Sequence, residues 1–262
     1  MAGIAEGAAK AGLEIDSREN RNRSIWKAVS TSLASKGSTA LLQLGSLPIA
    51  ARVLGREEFG IFATVSSALF AVAMQLGVGP ALAKKISDAA ATRDRKLQAL
   101  YYQPGALLLG VLILLGAAIS SLFLLSLPIT TLFGDAFRPW AGEMRQALWI
   151  GLFLMTGQLL VAHTDRVREG FMVAASVNAS SALGNLASAV LVAAGISFYP
   201  SVSFLLLAIY LPNILARMVN TFFLLRKRPY LLQNPNLPGK SLALLLLRDG
   251  VSFSATSFLV YV

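Results

Sequence analysis

The chain has 262 residues, of which 55% are hydrophobic and only 14% are charged, and its formal net charge is +10. Soluble domains usually carry about 25% charged residues, so this composition excludes an ordinary soluble protein and predicts an all-α polytopic membrane protein. A high positive charge can also indicate nucleic-acid binding. Here the basic residues lie between apolar segments, so no nucleic acid is expected as a partner. The absence of cysteine excludes disulfides and thiolate chemistry.

Charge-free segments predict six transmembrane helices. Residues 59–83, 97–134, 146–164 and 170–216 contain no Asp, Glu, Lys or Arg. The longest of these segments must hold two helices, because one span needs roughly 20 residues. The predicted spans are residues 34–54, 59–82, 104–127, 146–163, 171–194 and 202–225.

The basic residues set the predicted orientation. With the amino terminus inside, 17 lysines and arginines fall in the tail and in the loops after the second, fourth and sixth spans. The outward loops hold Arg56, Arg138 and Arg145, with Arg52 at the edge of the first span. The positive-inside rule therefore places the amino terminus in the cytoplasm, with the helices in the inner membrane. The predicted domains are a polar cytoplasmic tail (1–33), a six-helix transmembrane lobe (34–225), a basic cytoplasmic linker (226–249) and the start of a truncated seventh helix (250–262).

The last segment, residues 250–262, is apolar but shorter than a span. A helix that ended inside the hydrocarbon would leave its last carbonyl groups unpaired. We therefore expect the chain to be a fragment of a longer protein. A re-entrant or interfacial tail is the alternative.

The first span is the least hydrophobic, and Pro48 should kink it near Gly45, because proline lacks a backbone donor and clashes with the preceding turn. Polar or small residues recur in it at steps of three or four and should share one helical face: Lys36, Thr39, Gln43, Ser46 and Ala50.

The fifth span contains small residues at four-residue spacing: Ser176, Ser180, Gly184 and Ser188. Small residues so spaced let two helix backbones approach closely, so we expect this stripe to pack against a neighbouring helix. A contact with substrate is the alternative.

The sixth span contains Arg217. A guanidinium at the bilayer centre costs at least about 2.5–3.5 kcal/mol on insertion scales, so it usually faces a polar cavity. Tyr210, Asn213 and Asn220 should lie on the same face of the helix. The alternative is that the arginine side chain extends toward the cytoplasmic surface, and that alternative also holds for Lys36.

The predicted spans contain no Asp or Glu, since Asp165 falls in the loop after the fourth span. Exporters of cationic drugs often use an intramembrane carboxylate, whereas this chain offers Lys36, Arg52 and Arg217. These cations favour an anionic substrate such as a phosphate or pyrophosphate. The single histidine, His163, lacks the further ligands of a metal site, and no nucleophile has a base nearby. We therefore expect neither a cofactor nor an enzyme.

Two short motifs flank the second span. Residues 47–60 read LPIAARVLGREEFG, an apolar helix followed by Arg, Leu-Gly, polar residues, an aromatic residue and Gly. Residues 75–86 read QLGVGPALAKKI, a Leu-Gly-hydrophobic-Gly run before a basic loop. Over residues 34–86 the chain resembles the polysaccharide (O-antigen type) flippases of the multidrug/oligosaccharidyl-lipid/polysaccharide exporter superfamily. Gln75 departs from the pattern, since many relatives have an acid there.

The resemblance implies an alternating-access transporter of two six-helix lobes, of which this chain supplies the amino-terminal one. Its substrate would be a polyprenyl-pyrophosphate-linked oligosaccharide for cell-surface polysaccharide or lipopolysaccharide synthesis in a bacterium. Membrane lipids, a polysaccharide polymerase and glycosyltransferases would be its partners. Residues expected to bind the pyrophosphate are Arg217, Arg52 and Lys36, with Gln43 and Asn213 as polar support.

Two other functions are compatible with the sequence. A cation or drug antiporter of the same superfamily would require a membrane carboxylate. A membrane scaffold without transport activity would use the small-residue face of the fifth span for assembly.

Overall fold

The computed structural model of the protein describes residues 22–23, 25–72, 78–126 and 128–233, together with positions 244, 248 and 249. Every regular element in these ranges is helical, which confirms the predicted all-α membrane fold. In chain order the elements are α1 (residues 25–40), a π-helical segment (Leu41–Ser46), α2 (Leu47–Val72), α3 (Val78–Ala91), α4 (Arg95–Ser126), α5 (Ile129–Phe133), a 3-10 turn (Asp135–Trp140), α6 (Ala141–Gly170), α7 (Ala174–Gly195), α8 (Val202–Lys227) and a second 3-10 turn (Pro229–Leu232).

The two ends of the chain are mostly outside this description. The predicted start of a seventh helix, residues 250–262, lies outside the described residues, and so do residues 1–21 of the predicted tail. Residues 25–33 of that tail are already helical and belong to α1.

Proline and glycine shape the amino-terminal helices. The π-helical segment Leu41–Ser46 lies immediately before Pro48, whose ring crowds the preceding turn. The helix thus changes from α to π geometry around Gly45, where a kink was predicted. Gly55 interrupts α2 with φ 77° and ψ −178°, at the predicted connection between the first two spans. A residue without a Cβ adopts such a positive φ without steric cost.

Within the described residues, four stretches are long and apolar enough to cross a membrane: α4, Asp135–Gly170 with α6, α7 and α8. They correspond to the third to sixth predicted spans. The first two predicted spans are not among the four, and residues 73–77 of the second lie outside the described residues. α2 is less apolar because it contains Arg52, Arg56, Glu57 and Glu58. A count of six spans stays a prediction.

Helix α6 occupies the middle of the bundle, where it packs against α2, α3, α4 and α8. Met144, Leu154 and Val167, which are spaced along its length, are buried. Helix α4 is the least enclosed, and leucines such as Leu115 and Leu122 are exposed on its surface. An apolar surface of this kind suits contact with lipid, where it carries no hydrophobic cost.

The loops after α3, α6 and α8 meet at one end of the bundle. The guanidinium of Arg228, after α8, lies 3.6 Å from the ring centre of Phe171, after α6. The hydroxyl of Tyr230 donates to Gln98 Oε1 (2.6 Å), and Gln98 Nε2 donates to the carbonyl of Ala89 in α3 (3.2 Å). We call this the basic end, because these loops are rich in Lys and Arg. The positive-inside prediction requires these loops to share one side, and the structure places them together.

Candidate functional site

The contact between α7 and α8 is built from small residues. A Cβ added at Gly184 would lie 2.9 Å from Asn213 Cα, so the two backbones are too close for a side chain there. Ser188 Oγ donates to the carbonyl of Ile209 (2.8 Å), and Asn213 Nδ2 donates to Ser188 Oγ (3.2 Å). The packing role predicted for the small-residue stripe is confirmed. Asn213 takes part in this packing.

The first span packs against α7 through part of its predicted polar face. Asn185 Nδ2 donates to Thr39 Oγ1 (2.8 Å), and Ser46 Oγ donates to the carbonyl of Ala189 (3.0 Å). Since Asn185 and Ala189 are one turn apart, these two bonds fix α1 and the π-helical segment along α7.

Arg217 forms an ion pair with Asp165 of α6. The Nε atom of Arg217 lies 3.4 Å from Oδ2 of Asp165, and the side chains are 21% and 9% exposed. The expectation that Asp165 lies in a loop is wrong, because α6 continues to Gly170. The predicted fourth span, residues 146–163, contains no Asp or Glu, but the helix that includes it also contains Asp165. A charged residue that finds a partner inside the bundle can remain within a membrane helix.

Arg168 lies one turn further along α6 and connects that helix to α7 and α8. It is 6% exposed, and its Nη1 donates to Ser176 Oγ (2.8 Å). Its Nη2 donates to the backbone carbonyl of Asn220. Asn220 Nδ2 in turn lies 3.3 Å from Ser180 Oγ, to which it donates. We call the following residues the α6–α8 polar cluster: Asp165, Arg168, Ser176, Ser180, Arg217 and Asn220.

The α6–α8 polar cluster has an excess of positive charge, because it contains two guanidinium groups and the single carboxylate of Asp165, which pairs with Arg217. The neighbouring Arg166 and Glu169 neutralise each other at the surface (2.9 Å). Within the described residues, the buried atoms Asp165 Oδ1, Arg168 Nε and Arg217 Nε have no hydrogen-bond partner. The contact of Arg217 Nε with Asp165 is thus an ion pair without hydrogen-bond geometry. An uncompensated buried cation is costly, so the cluster is suited to receive an anion.

The predicted site residues lie at separate places in the described part of the chain. Lys36, Gln43 and Arg52 are exposed on α1, the π-helical segment and α2. Arg217 is paired with α6, and Asn213 is packed against α7. No hydrogen bond or ion pair connects the three exposed residues to Arg217 within the described ranges.

Sequence reasoning missed Asp165 and Arg168 because charged residues at the end of an apolar run were interpreted as a loop. Asp165 and Arg168 are three residues apart, a spacing compatible with one helical face. This spacing was the available signal that the helix continues through them. The pairing with Arg217 had no local signal, since it depends on how α6 packs against α8.

Comparison with known proteins gives one match. A family model described as polysaccharide biosynthesis protein matches residues 25–262, which include all helices described above. No curated protein and no solved structure matches the chain.

Proposed function

The chain belongs to the polysaccharide biosynthesis protein family, and from this membership we propose that it moves a polyprenyl-pyrophosphate-linked oligosaccharide across a bacterial inner membrane. In this proposal the amino terminus is cytoplasmic, and the helices form one lobe of an alternating-access transporter. The transported molecule then supplies cell-surface polysaccharide synthesis, next to a polymerase and glycosyltransferases. The family match over residues 25–262 is the observation that carries the proposal.

The charges of the helices support an anionic substrate. The α6–α8 polar cluster contains two arginines for one aspartate. Lys36 and Arg52 are exposed on the amino-terminal helices and are free to contact a ligand. Arginine is geometrically suited to phosphate oxygens, because its planar group donates two parallel hydrogen bonds.

We assign roles to the predicted site residues accordingly. Lys36 and Arg52 contact the pyrophosphate at successive positions, since about 24 Å of helix separates them, and Gln43 lies between them in sequence as a hydrogen-bonding partner. Arg217 adds positive charge from within the bundle, where Asp165 holds it in place. Asn213 supports the site indirectly, since it fixes α8 against α7.

Asp165 bears on the rival function, a cation antiporter. That function needs a carboxylate among the membrane helices, and α6 provides one. This carboxylate is already paired with Arg217, and Arg168 leaves the surrounding cluster positive. A cationic substrate would meet repulsion there, so the anionic substrate fits the charges better.

The experiment is a translocation assay in proteoliposomes with a fluorescent polyprenyl-pyrophosphate oligosaccharide and an impermeant lectin. Arg52→Gln and Lys36→Gln should each reduce the rate about tenfold or more, since hydrogen bonds to charged groups contribute about 1.5–3 kcal/mol. Arg138→Gln is the matched control, because Arg138 is exposed on the 3-10 turn outside the proposed site. Equal rates for all three variants would contradict the assignment.

A further inference from the structure

A long groove runs between α7 and α8 on the surface of the bundle. Its volume is about 950 Å³. Along α8 it extends from Phe204 to Phe223. At about 1.5 Å per residue this is roughly 28 Å, close to the thickness of the hydrocarbon core of a bilayer. The groove therefore spans nearly the whole hydrocarbon core, whereas each chain of a phospholipid spans one leaflet.

Small residues line the groove between larger apolar ones. Ala187, Ala208 and Ala216 belong to its lining, and Leu183 and Leu215 are exposed beside them. A lining of this kind binds hydrocarbon by contact area rather than by hydrogen bonds.

The polar residues that line the groove are all at one end. They are Ser176, Ser180 and Asn220, and all three belong to the α6–α8 polar cluster. Arg168 donates to both Ser176 and the backbone of Asn220, so its guanidinium lies directly behind this end. The arginine is 6% exposed and its Nε has no partner within the described residues.

We propose that this groove binds the hydrocarbon chain of a polyprenyl phosphate, with the phosphate at the end marked by Arg168. The apolar lining matches the chain, and the excess positive charge of the α6–α8 polar cluster matches the phosphate. This proposal rests on the proposed function and gives the lipid carrier a binding site of its own on the surface of the bundle. The site is separate from Lys36 and Arg52, which the proposed function assigns to the pyrophosphate during transport.

The test measures retention of a radiolabelled polyprenyl monophosphate by the purified protein. Ala187→Trp fills the groove and should weaken binding by about tenfold or more, because the indole displaces several methylene contacts. Ala193→Trp is the matched control on the same helix, since Ala193 is exposed but does not line the groove. It should leave binding unchanged.

A second variant tests the phosphate end. Arg168→Gln should weaken binding of the polyprenyl phosphate about tenfold but leave binding of the uncharged polyprenol unchanged, because only the phosphate is attracted by the positive charge of Arg168 behind Ser176 and Asn220. Equal losses of binding for polyprenyl phosphate and polyprenol would mean that Arg168 only holds the helices together. That result would overturn its role in attracting the phosphate.

Three results would overturn the groove itself. The first is equal binding by Ala187→Trp and wild type. The second is retention of phosphatidylglycerol equal to that of the polyprenyl phosphate, which would indicate that the groove binds ordinary annular lipid. The third is a change of oligomeric state in Ala187→Trp, which would indicate that a helix of a second copy occupies the groove. If transport persists while Ala187→Trp binds normally, the groove proposal fails and the proposed function stands. If the wild type retains no polyprenyl phosphate but transports the glycolipid, the groove proposal fails and the proposed function stands; if it does neither, both fail.

Discussion

Replacing Asp165 by asparagine removes the charge that neutralises Arg217 while it keeps the shape of the side chain. Asp165 is 9% exposed and Arg217 is 21% exposed in this pair. Breaking a buried ion pair costs about 3–5 kcal/mol, because the remaining charge stays uncompensated. Part of Arg217 is accessible, so we expect Asp165→Asn to lie at the lower end, with a loss of about 3 kcal/mol in the free energy of unfolding.

The assay is an unfolding titration with sodium dodecyl sulfate in mixed micelles, followed by tryptophan fluorescence. Glu169→Gln is the control, because the Arg166–Glu169 pair is more than a third exposed and should contribute less than about 1 kcal/mol. The double variant Asp165→Asn with Arg217→Gln should lose less free energy of unfolding than the two single variants lose together, since each single change leaves one charge unpaired. Equal losses for Asp165→Asn and Glu169→Gln, or strict additivity in the double variant, would refute the reasoning.

Two further predictions use the same titration. Gly184→Ala should destabilise the protein by about 1–3 kcal/mol, because the added Cβ collides with Asn213. Gly110→Ala in α4 has open space around it and should be neutral or slightly stabilising, so equal losses at the two glycines would contradict the close approach of α7 and α8. Met172→Gly should raise stability by about 1 kcal/mol, since Met172 has φ 57° and is 83% exposed. A loss of stability there would show that the methionine side chain contributes more than its backbone conformation costs.

Hydropathy predicted α7 and α8 well because their apolar runs begin and end at turns. The sixth predicted span, residues 202–225, matches α8 (Val202–Lys227) within two residues. The small-residue stripe of α7 was predictable for a related reason, since close packing of helices requires small side chains at regular spacing.

The ends of α4 and α6 were harder to predict. The third span was predicted to begin at Pro104, whereas α4 begins at Arg95 and continues through the proline. Glu143 and Asp165 were placed outside the fourth span, but both lie within α6. Hydropathy cannot show whether a charged residue pairs with another helix, because that depends on tertiary packing.

The candidate site could be predicted only in part. The sequence identified Arg217 as an unusual cation, but its partner Asp165 is far away in the chain. Asn213 and Arg217 share one helix, yet Asn213 contacts α7 and Arg217 contacts α6. A helical face predicted from spacing does not show which neighbour each residue meets, and a rotation of a few tens of degrees changes that neighbour.

The most direct measurement of the central claim compares two labelled compounds in proteoliposomes that contain the protein under an ion gradient. One is a polyprenyl-pyrophosphate oligosaccharide, read out by an impermeant lectin, and the other is a cationic fluorescent dye. We predict that the glycolipid reaches the opposite leaflet at a protein-dependent rate and that the dye does not accumulate. The contrary result is accumulation of the dye, together with a glycolipid that the lectin reaches no more than in empty liposomes. It would contradict the proposal and favour a cation antiporter.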